Sequence, residues 1–463
     1  MNLIKLTRLA LLANILLSHV SYADLIDSQL DTLGSIEQSL DAEIISPDLP
    51  VIKPIQDADL PTKINTLEQK IESQHLKTLS NRLKKLPAQL NIKNKKGETQ
   101  FIEVNVENGW RAVKQEWLVM LNTVELAALK QLSQSVKLNI IEQTYFSQLN
   151  TTLVRFKVDS SLDSYLALKK ILPTSLLNKL DRNHIYNAQK QSPPPATEHL
   201  KPTDSKASIC PAPVRVGMLD TAIELNHLAF KKSKIKQQLF LTTNIPQPKE
   251  HGSAVAALFI SSAKKVPALL PNAQLYSAGV FHAQSTYAQG ATVLNLIKGI
   301  NWLLSQQVSV INMSLAGPDN QVLAQAISQV LKKEVAIVAA AGNQGPTAEA
   351  MYPAAYSGVI SATAVDANQQ IYRWANQGSY IDFAALGVAV KTVTIDETLN
   401  GFGLQTGTSM AAPVVSAFVA CEKHKHPNYL AHLISLAQDL GKPGQDSVFG
   451  HGLLSINPTK SFF

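Results

Sequence analysis

Ser409 lies in Gly407-Thr408-Ser409-Met410-Ala411-Ala412-Pro413. A turn of small residues there feeds a helix whose first turn tolerates Pro413. This puts a hydroxyl nucleophile at a helix N-terminus, where backbone N–H groups favour developing negative charge. His251 opens the apolar run Gly252-Ser253-Ala254-Val255-Ala256-Ala257-Leu258, which reads as a buried helix starting at the imidazole. An imidazole on so rigid a mount can act as a general base. Asp220 closes Arg215-Val216-Gly217-Met218-Leu219. A carboxylate there can hold one imidazole nitrogen and fix the tautomer. Asn343, in Ala339-Ala340-Ala341-Gly342-Asn343, follows a strand end and can aim its amide N–H at an oxyanion. Singly, each has an ordinary reading: a turn-capping aspartate, a histidine at a helix start, an N-cap serine, an asparagine in a tight turn. Together, in the order Asp, His, Ser, they make one of the chain orders in which a nucleophile, a base and its orienting acid recur.

The elements around them fit that use. From residue 209 onward, strands and helices alternate. Strands are expected over 214–219, 273–280, 308–314 and 335–340, and helices over 292–305 and 321–333. The alternation predicts an α/β fold, a mainly parallel sheet with helices on both faces. Such sheets collect active groups at the carboxyl ends of their strands. Residues 113–190 read as a ferredoxin-like α+β unit, β-α-β-β-α-β, with strands over 116–121, 136–143, 152–158 and 184–187 and helices over 124–134 and 161–172. Residues 24–112 read as a helical or loosely ordered leader, on the recurrence of Ile64, Leu67, Ile71, Leu76, Leu79 and Leu83. Residues 191–208 contain Ser192-Pro193-Pro194-Pro195 and Pro202, an extended linker open to proteolysis.

The chain starts with Lys5 and Arg8, an apolar run over 9–17, and Ser21-Tyr22-Ala23. These are the parts of an export signal over residues 1–23. The apolar run is shorter than the roughly 20 residues a membrane span needs. A secreted or periplasmic location without a stable membrane span is therefore expected. Of the 463 residues, 45% are hydrophobic and 17% charged, enough for a sizeable core. The net charge is +7, but the lysines are scattered without a nucleic-acid recognition motif, so no nucleic-acid partner is expected. Two cysteines, Cys210 and Cys421, leave one disulfide or two separate thiols equally open after export.

In its second half the chain resembles the subtilisin (subtilase) family of serine peptidases. The family's D-[ST]-G block is similar to Asp220-Thr221-Ala222, and its H-G-T-H-V-A block to His251-Gly252-Ser253-Ala254-Val255-Ala256. Its S-x-G-P segment resembles Ser314-Leu315-Ala316-Gly317-Pro318, with one residue more. Its A-A-G-N block matches residues 340–343, and its G-T-S-M-A-x-P block matches residues 407–413 without change. The closing glycine-rich segment resembles Phe449-Gly450-His451-Gly452. The resemblance implies a catalytic domain over 209–463 with Asp220, His251 and Ser409 as triad and Asn343 as oxyanion donor. It implies a cleft lined by Ser314, Leu315, Ala316 and Gly317 on one side and Ala340, Ala341 and Gly342 on the other, with room for an apolar P1 side chain. It also implies a self-processed precursor whose N-terminal propeptide blocks the cleft. The partners are then protein or peptide substrates and the chain's own propeptide, and the enzyme acts as a monomer. No cofactor is needed for the chemistry; calcium stabilises many family members, but no ligand maps onto this sequence. Two departures stand out. Ala222 replaces a glycine and would be strained if the position needs positive φ. Glu250 stands where glycine is common, and a carboxylate there would favour a protonated His251.

Two other readings are open to the sequence. Ser409, Asp439 and His451 fall in the chain order of the α/β-hydrolases, although the serine block lacks the second glycine of G-x-S-x-G. A non-catalytic binding module on the same fold is the other.

Overall fold

The computed structural model describes residues 86–456 except 137, 189–207, 242–243, 286–287 and 396–399. The expected export signal, the leader up to residue 85 and nearly all of the proline-rich linker lie outside the described residues. Those described fall within one unit, Glu72–Phe463.

The first described elements are β1 (Gln89–Lys93) and β2 (Thr99–Asn105), an antiparallel hairpin. They correct the expectation of a helical leader up to residue 112. The hairpin is mostly polar and only lightly buried, so alternation in QLNIK and TQFIEVN is easily missed. Then follow β3 (Arg111–Leu121), α1 (Thr123–Ser135), β4 (Leu138–Phe146), β5 (Thr151–Val158), α2 (Tyr165–Leu168), α3 (Thr174–Leu177) and β6 (Leu180–Ala188). Strands run β6-β3-β5-β4, all neighbours antiparallel, with β2 beside the start of β3. Asn122 caps α1 and exchanges a reciprocal capping box with Glu125. The second helix expected over 161–172 is absent; a 3-10 turn at Ser160–Leu162 and the two short helices α2 and α3 stand there instead. Ser164 makes the break: its backbone is extended and its side chain accepts from the Ala167 N–H, capping α2 as a new start. Pro173 then separates α2 from α3. It offers no N–H and disfavours helical backbone at Leu172.

The second half carries β7 (Arg215–Asp220), β8 (Ile235–Leu239), α4 (Glu250–Ile260), β9 (Gln274–Gly279), β10 (His282–Ala283), β11 (Gln289–Thr292) and α5 (Val293–Ser305). Next come β12 (Val310–Met313), β13 (Leu315–Ala316), α6 (Gln321–Lys332), β14 (Ala336–Ala340), β15 (Ile360–Val365) and β16 (Phe383–Leu386). The described chain ends with β17 (Val390–Val393), β18 (Phe402–Gln405), α7 (Thr408–Lys425) and α8 (Tyr429–Leu436). Seven strands form one parallel sheet in the order β16-β15-β14-β12-β7-β9-β8. Period-two alternation sends Val216, Met218, Val310 and Val338 to the face covered by α4 and α7. It sends Leu219, Ile311, Met313 and Ile337 to the face covered by α5 and α6. Each fully buried branched side chain contributes roughly 1.5–3 kcal/mol. A single hydrogen bond contributes about 1 kcal/mol net. Packing therefore fixes the strand ends, and hydrogen bonds only trim the groups mounted on them.

The N-terminal sheet also uses both faces. Trp117, Val119 and Leu121 on β3 point into its own core with Leu129 and Phe156. Leu118 and Met120 join the cluster formed by α5 and α6. Cys210 and Cys421 are buried free thiols, not bridged. Burial, then the neighbouring Cys210, pushes the Cys421 thiol up.

Candidate active site

Register puts three residues side by side. Leu219 pairs with Met313, and Met313 with Ala339. Asp220, Ser314 and Ala340 therefore stand level at the carboxyl ends of β7, β12 and β14, about 4.8 Å from strand to strand.

His251 Nδ1 lies 2.7 Å from Asp220 Oδ1, with both side chains buried. A carboxylate oxygen accepts here, so Nδ1 is the nitrogen that donates in this bond. His251 Nε2 has no hydrogen-bond partner among the described residues. Thr221 holds this pair in place. Its N–H donates to Asp220 Oδ1 at 2.7 Å, and its Oγ1 accepts from the Gly252 N–H at 2.7 Å. The strand end is thus tied to the first turn of α4. A Cβ at Gly252 would meet the Thr221 carbonyl oxygen at 2.3 Å, so this approach requires glycine.

Both departures have a place in the structure. Ala222 is not among the residues with positive φ, so the expected strain is absent. Glu250 Oε1 accepts from Thr394 Oγ1 at 2.7 Å and its Oε2 from the Ile395 N–H at 2.8 Å. The carboxylate anchors the chain after β17 rather than bonding His251.

Ser409 is the second residue of α7, behind Gly407, whose φ of 141° an L side chain rarely adopts. Pro413 sits in the second turn of α7, not the first. Its missing N–H leaves the Ser409 carbonyl without a helical donor. Ser314 Oγ fills that role at 3.0 Å, and itself accepts from Asn312 Nδ2 at 2.9 Å. Ser409 Oγ donates to the Ser314 carbonyl at 3.4 Å, a long bond. Among the described residues no hydrogen bond joins it to His251 Nε2, although α4 and α7 pack against each other.

Asn343 follows Gly342, which has φ of 111°. Asn343 Oδ1 accepts from the Thr408 N–H at 3.1 Å and from Thr408 Oγ1 at 3.0 Å. Two donors on the oxygen fix the amide orientation. Asn343 Nδ2 is left buried with no partner among the described residues. The Gly342 N–H donates to Thr408 Oγ1 at 3.2 Å.

Close to this group, β6 lies between two short strands, β11 and β13. Ile185, Tyr186 and Asn187 pair with Thr292, Ala291 and Gly290 of β11, while Asn187 and Ala188 pair with Ala316 and Leu315 of β13. Both sets are antiparallel. The Tyr186 hydroxyl donates to the Pro318 carbonyl, and its ring covers Gly317, where a Cβ would come within 2.5 Å. Ala340 and Ala341 are fully buried; the Ala341 N–H donates to the Ala362 carbonyl and its own carbonyl accepts from Tyr380 Oη at 3.2 Å.

A model described as the subtilase family of peptidases matches residues 212–452. The chain belongs to the subtilase family. Subtilisin DY of Bacillus licheniformis is 29% identical over 255 residues, 53% of this chain and 90% of that protein. Subtilisin E of Bacillus subtilis (strain 168) is 28% identical over 302 residues, 63% of this chain and 77% of the relative. Among solved structures, the prenylagaramide maturation protease PagA superposes with a TM-score of 0.45 at 21% identity, covering 52% of this chain and 90% of that one. This subtilase is a serine endopeptidase, and its family needs no cofactor for the chemistry.

Several residues of this subtilase's site escape the sequence reading. Thr221 and Thr408 each adjoin a reactive residue, and that adjacency is the one signal of their positioning role. Strand β11, which pairs with β6, is four residues long and merges into the cap of α5 at Thr292. Asp439 and His451, the alternative partners for Ser409, are engaged elsewhere: Asp439 Oδ2 accepts from the Gly444 N–H at 2.8 Å and His451 packs on Phe383. Calcium takes oxygen ligands. Among the described residues, the side-chain cluster with metal-ligand spacing is Glu422, His426 and His432, whose two imidazoles do not suit calcium. No described helix is long and apolar enough to cross a membrane.

Proposed function

We propose that this subtilase is exported, matures by cutting itself, and hydrolyses peptide bonds with Asp220, His251 and Ser409 as its triad. The observation that carries the reading is the Asp220–His251 pair at the end of β7, one strand away from the Ser314–Ser409 contact. The reading requires rotation about the Ser409 Cα–Cβ bond to turn its hydroxyl from the Ser314 carbonyl to His251 Nε2. His251 takes the proton as Ser409 Oγ attacks the scissile carbonyl. Asp220 stabilises the imidazolium. Asn343 Nδ2 and the N-terminal amides of α7 hold the oxyanion. His251 returns the proton to the leaving amine, and water repeats the sequence on the acyl-enzyme.

Residues 113–190, extended forward by the β1–β2 hairpin, act as the propeptide, and the order β6-β3-β5-β4 supports their ferredoxin-like reading. Its last strand occupies the cleft as a substrate would, as an added antiparallel strand between β11 and β13. Ser409 is fully buried in this arrangement, as expected of a latent precursor. The processing bond lies in the linker 191–208, and residues 1–23 direct export. Once free, the monomeric enzyme takes extended peptides, with Ser314–Gly317 and Ala340–Gly342 around an apolar P1 side chain. A peptide-library profile dominated by basic P1 residues contradicts that last point. The main test compares the wild-type chain with Ser409→Ala for casein cleavage and precursor maturation. Both activities are expected to vanish in the variant; equal activity overturns the triad.

A further inference from the structure

A second cluster of reactive side chains stands at the far end of α7 from Ser409. Glu422 lies in the last turn of α7, His426 is its C-cap residue, and His432 lies on α8. The spacing from Glu422 to His426 is i to i+4, which puts both on one helix face. Glu422 Oε2 lies 2.7 Å from His432 Nδ1 and 3.5 Å from His426 Nε2. The two imidazole rings lie 4.2 Å apart between centroids, tilted by 33°. One ligand atom from each residue falls within 4.8 Å of the others.

Two observations point to a ligand rather than to plain ion pairs. The Glu422 side chain is only 4% exposed, yet its Oε2 and His432 Nδ1 are closed to solvent without an aligned hydrogen bond. A carboxylate oxygen and an imidazole nitrogen with no proton directed between them form a ready pair of lone-pair donors. The remaining cation nearby, Lys425 Nζ, reaches the other oxygen, Oε1, at 3.4 Å. We propose that Glu422, His426 and His432 bind one divalent transition-metal ion, zinc by ligand chemistry, which ties α8 to the end of α7. Two imidazoles and one carboxylate suit zinc, with water in the fourth position. Donors at 2.0–2.2 Å from a tetrahedral ion stand about 3.3 Å apart. The 2.7 and 3.5 Å separations bracket that spacing and the third is within 4.8 Å, so rotations about the side-chain bonds admit the ion. The role is structural. Leu433 is the one residue of α8 buried in the core, which leaves the helix lightly held.

The test uses the full-length chain carrying Ser409→Ala to prevent self-digestion. It is dialysed against zinc, and bound metal is counted by mass spectrometry beside His426→Gln, His432→Gln and the double variant. One equivalent is expected to be lost in the double variant, with a zinc-dependent rise in Tm that the double variant lacks. Cobalt in place of zinc should give the visible absorption of a tetrahedral site in the parent alone. Both histidines are half-exposed, so circular dichroism should show all chains folded. Should the double variant unfold, the His432→Gln chain alone decides. Equal metal content in parent and folded variants, or no retained zinc in the parent, overturns the proposal.

Discussion

Glu103 Oε1 lies 2.6 Å from His282 Nε2, both side chains fully buried, where β2 of the N-terminal sheet meets β10 of the protease fold. Gln284 Nε2 and Arg111 Nε also donate to Glu103 Oε2, at 2.7 and 3.0 Å. Burial alone would raise this carboxyl, but the contacts with His282, Gln284 and Arg111 outweigh it and hold it below its ordinary 4.5. A carboxyl lowered in the folded state contributes stability above its ordinary value and loses it as pH falls through the folded one. Two other groups on β6 oppose each other. Burial pushes Asp181 up to about 6, which favours the seam on acidification. Burial, then Arg182, pushes His184 down to about 4, which disfavours it over nearly the same interval. The acid sensitivity that remains belongs to the lowered carboxyls, Glu103 and also Glu107, which pairs with Arg182 of β6. In the full-length Ser409→Ala chain, hydrogen-exchange protection of the β6 amides should drop below pH 4.5, and Glu103→Gln should flatten part of that drop. Matching acid profiles in the two chains rule this out.

Thr408 decides which way the Asn343 amide faces. Asn343→Ala removes the proposed oxyanion donor, and kcat should fall by about 10²–10³ with KM little changed, the range known for subtilisin and borrowed from it. Thr408→Val withdraws the hydroxyl that holds Asn343 Oδ1 and should lower kcat in the same direction by a smaller factor. Thr408→Ser should restore most of it. An effect on KM alone would mean that Asn343 binds substrate rather than the transition state.

Those positions show what the amino-acid pattern could and could not reveal. Strands β7, β9, β12 and β14 and helices α5 and α6 are legible because long apolar runs alternate with helical periodicity. The strands β15, built as Ile-Ser-Ala-Thr-Ala-Val, and β16, of four residues, are hidden by small side chains and shortness. Asp220, His251, Asn343 and Ser409 are visible because each stands in a block similar to one of the subtilase family's. Thr221 and Ser314 act through bonds to residues some 30 and 95 positions away, and no local pattern encodes such contacts.

Ser314 and Pro413 form a compensating pair. Proline removes the N–H that would bond the Ser409 carbonyl, and Ser314 Oγ replaces it. Ser314→Ala leaves that buried carbonyl and Asn312 Nδ2 unpaired, at about 1–3 kcal/mol. Adding Pro413→Ala supplies a helical N–H to the same carbonyl, so the double variant should recover part of the loss in urea unfolding of the Ser409→Ala chain. Strictly additive losses would show that the proline does not create the need for Ser314.

Gly317 meets a different constraint. Its backbone is not in the positive-φ region, so alanine is conformationally acceptable there. Space forbids it: a Cβ would come within 2.5 Å of the Tyr186 ring. Overpacking of this kind costs about 1–3 kcal/mol. Gly317→Ala should therefore loosen β6 from β13 and lower the Tm of the full-length Ser409→Ala chain. Tyr186→Ala alone also lowers it, by removing a fully buried ring and its bond to the Pro318 carbonyl. In the Tyr186→Ala background the clash is gone, and the added methyl should cost little. The coupling between the two sites should reach roughly 0.5–3 kcal/mol. Independent effects would place the constraint on Gly317 elsewhere than in β6.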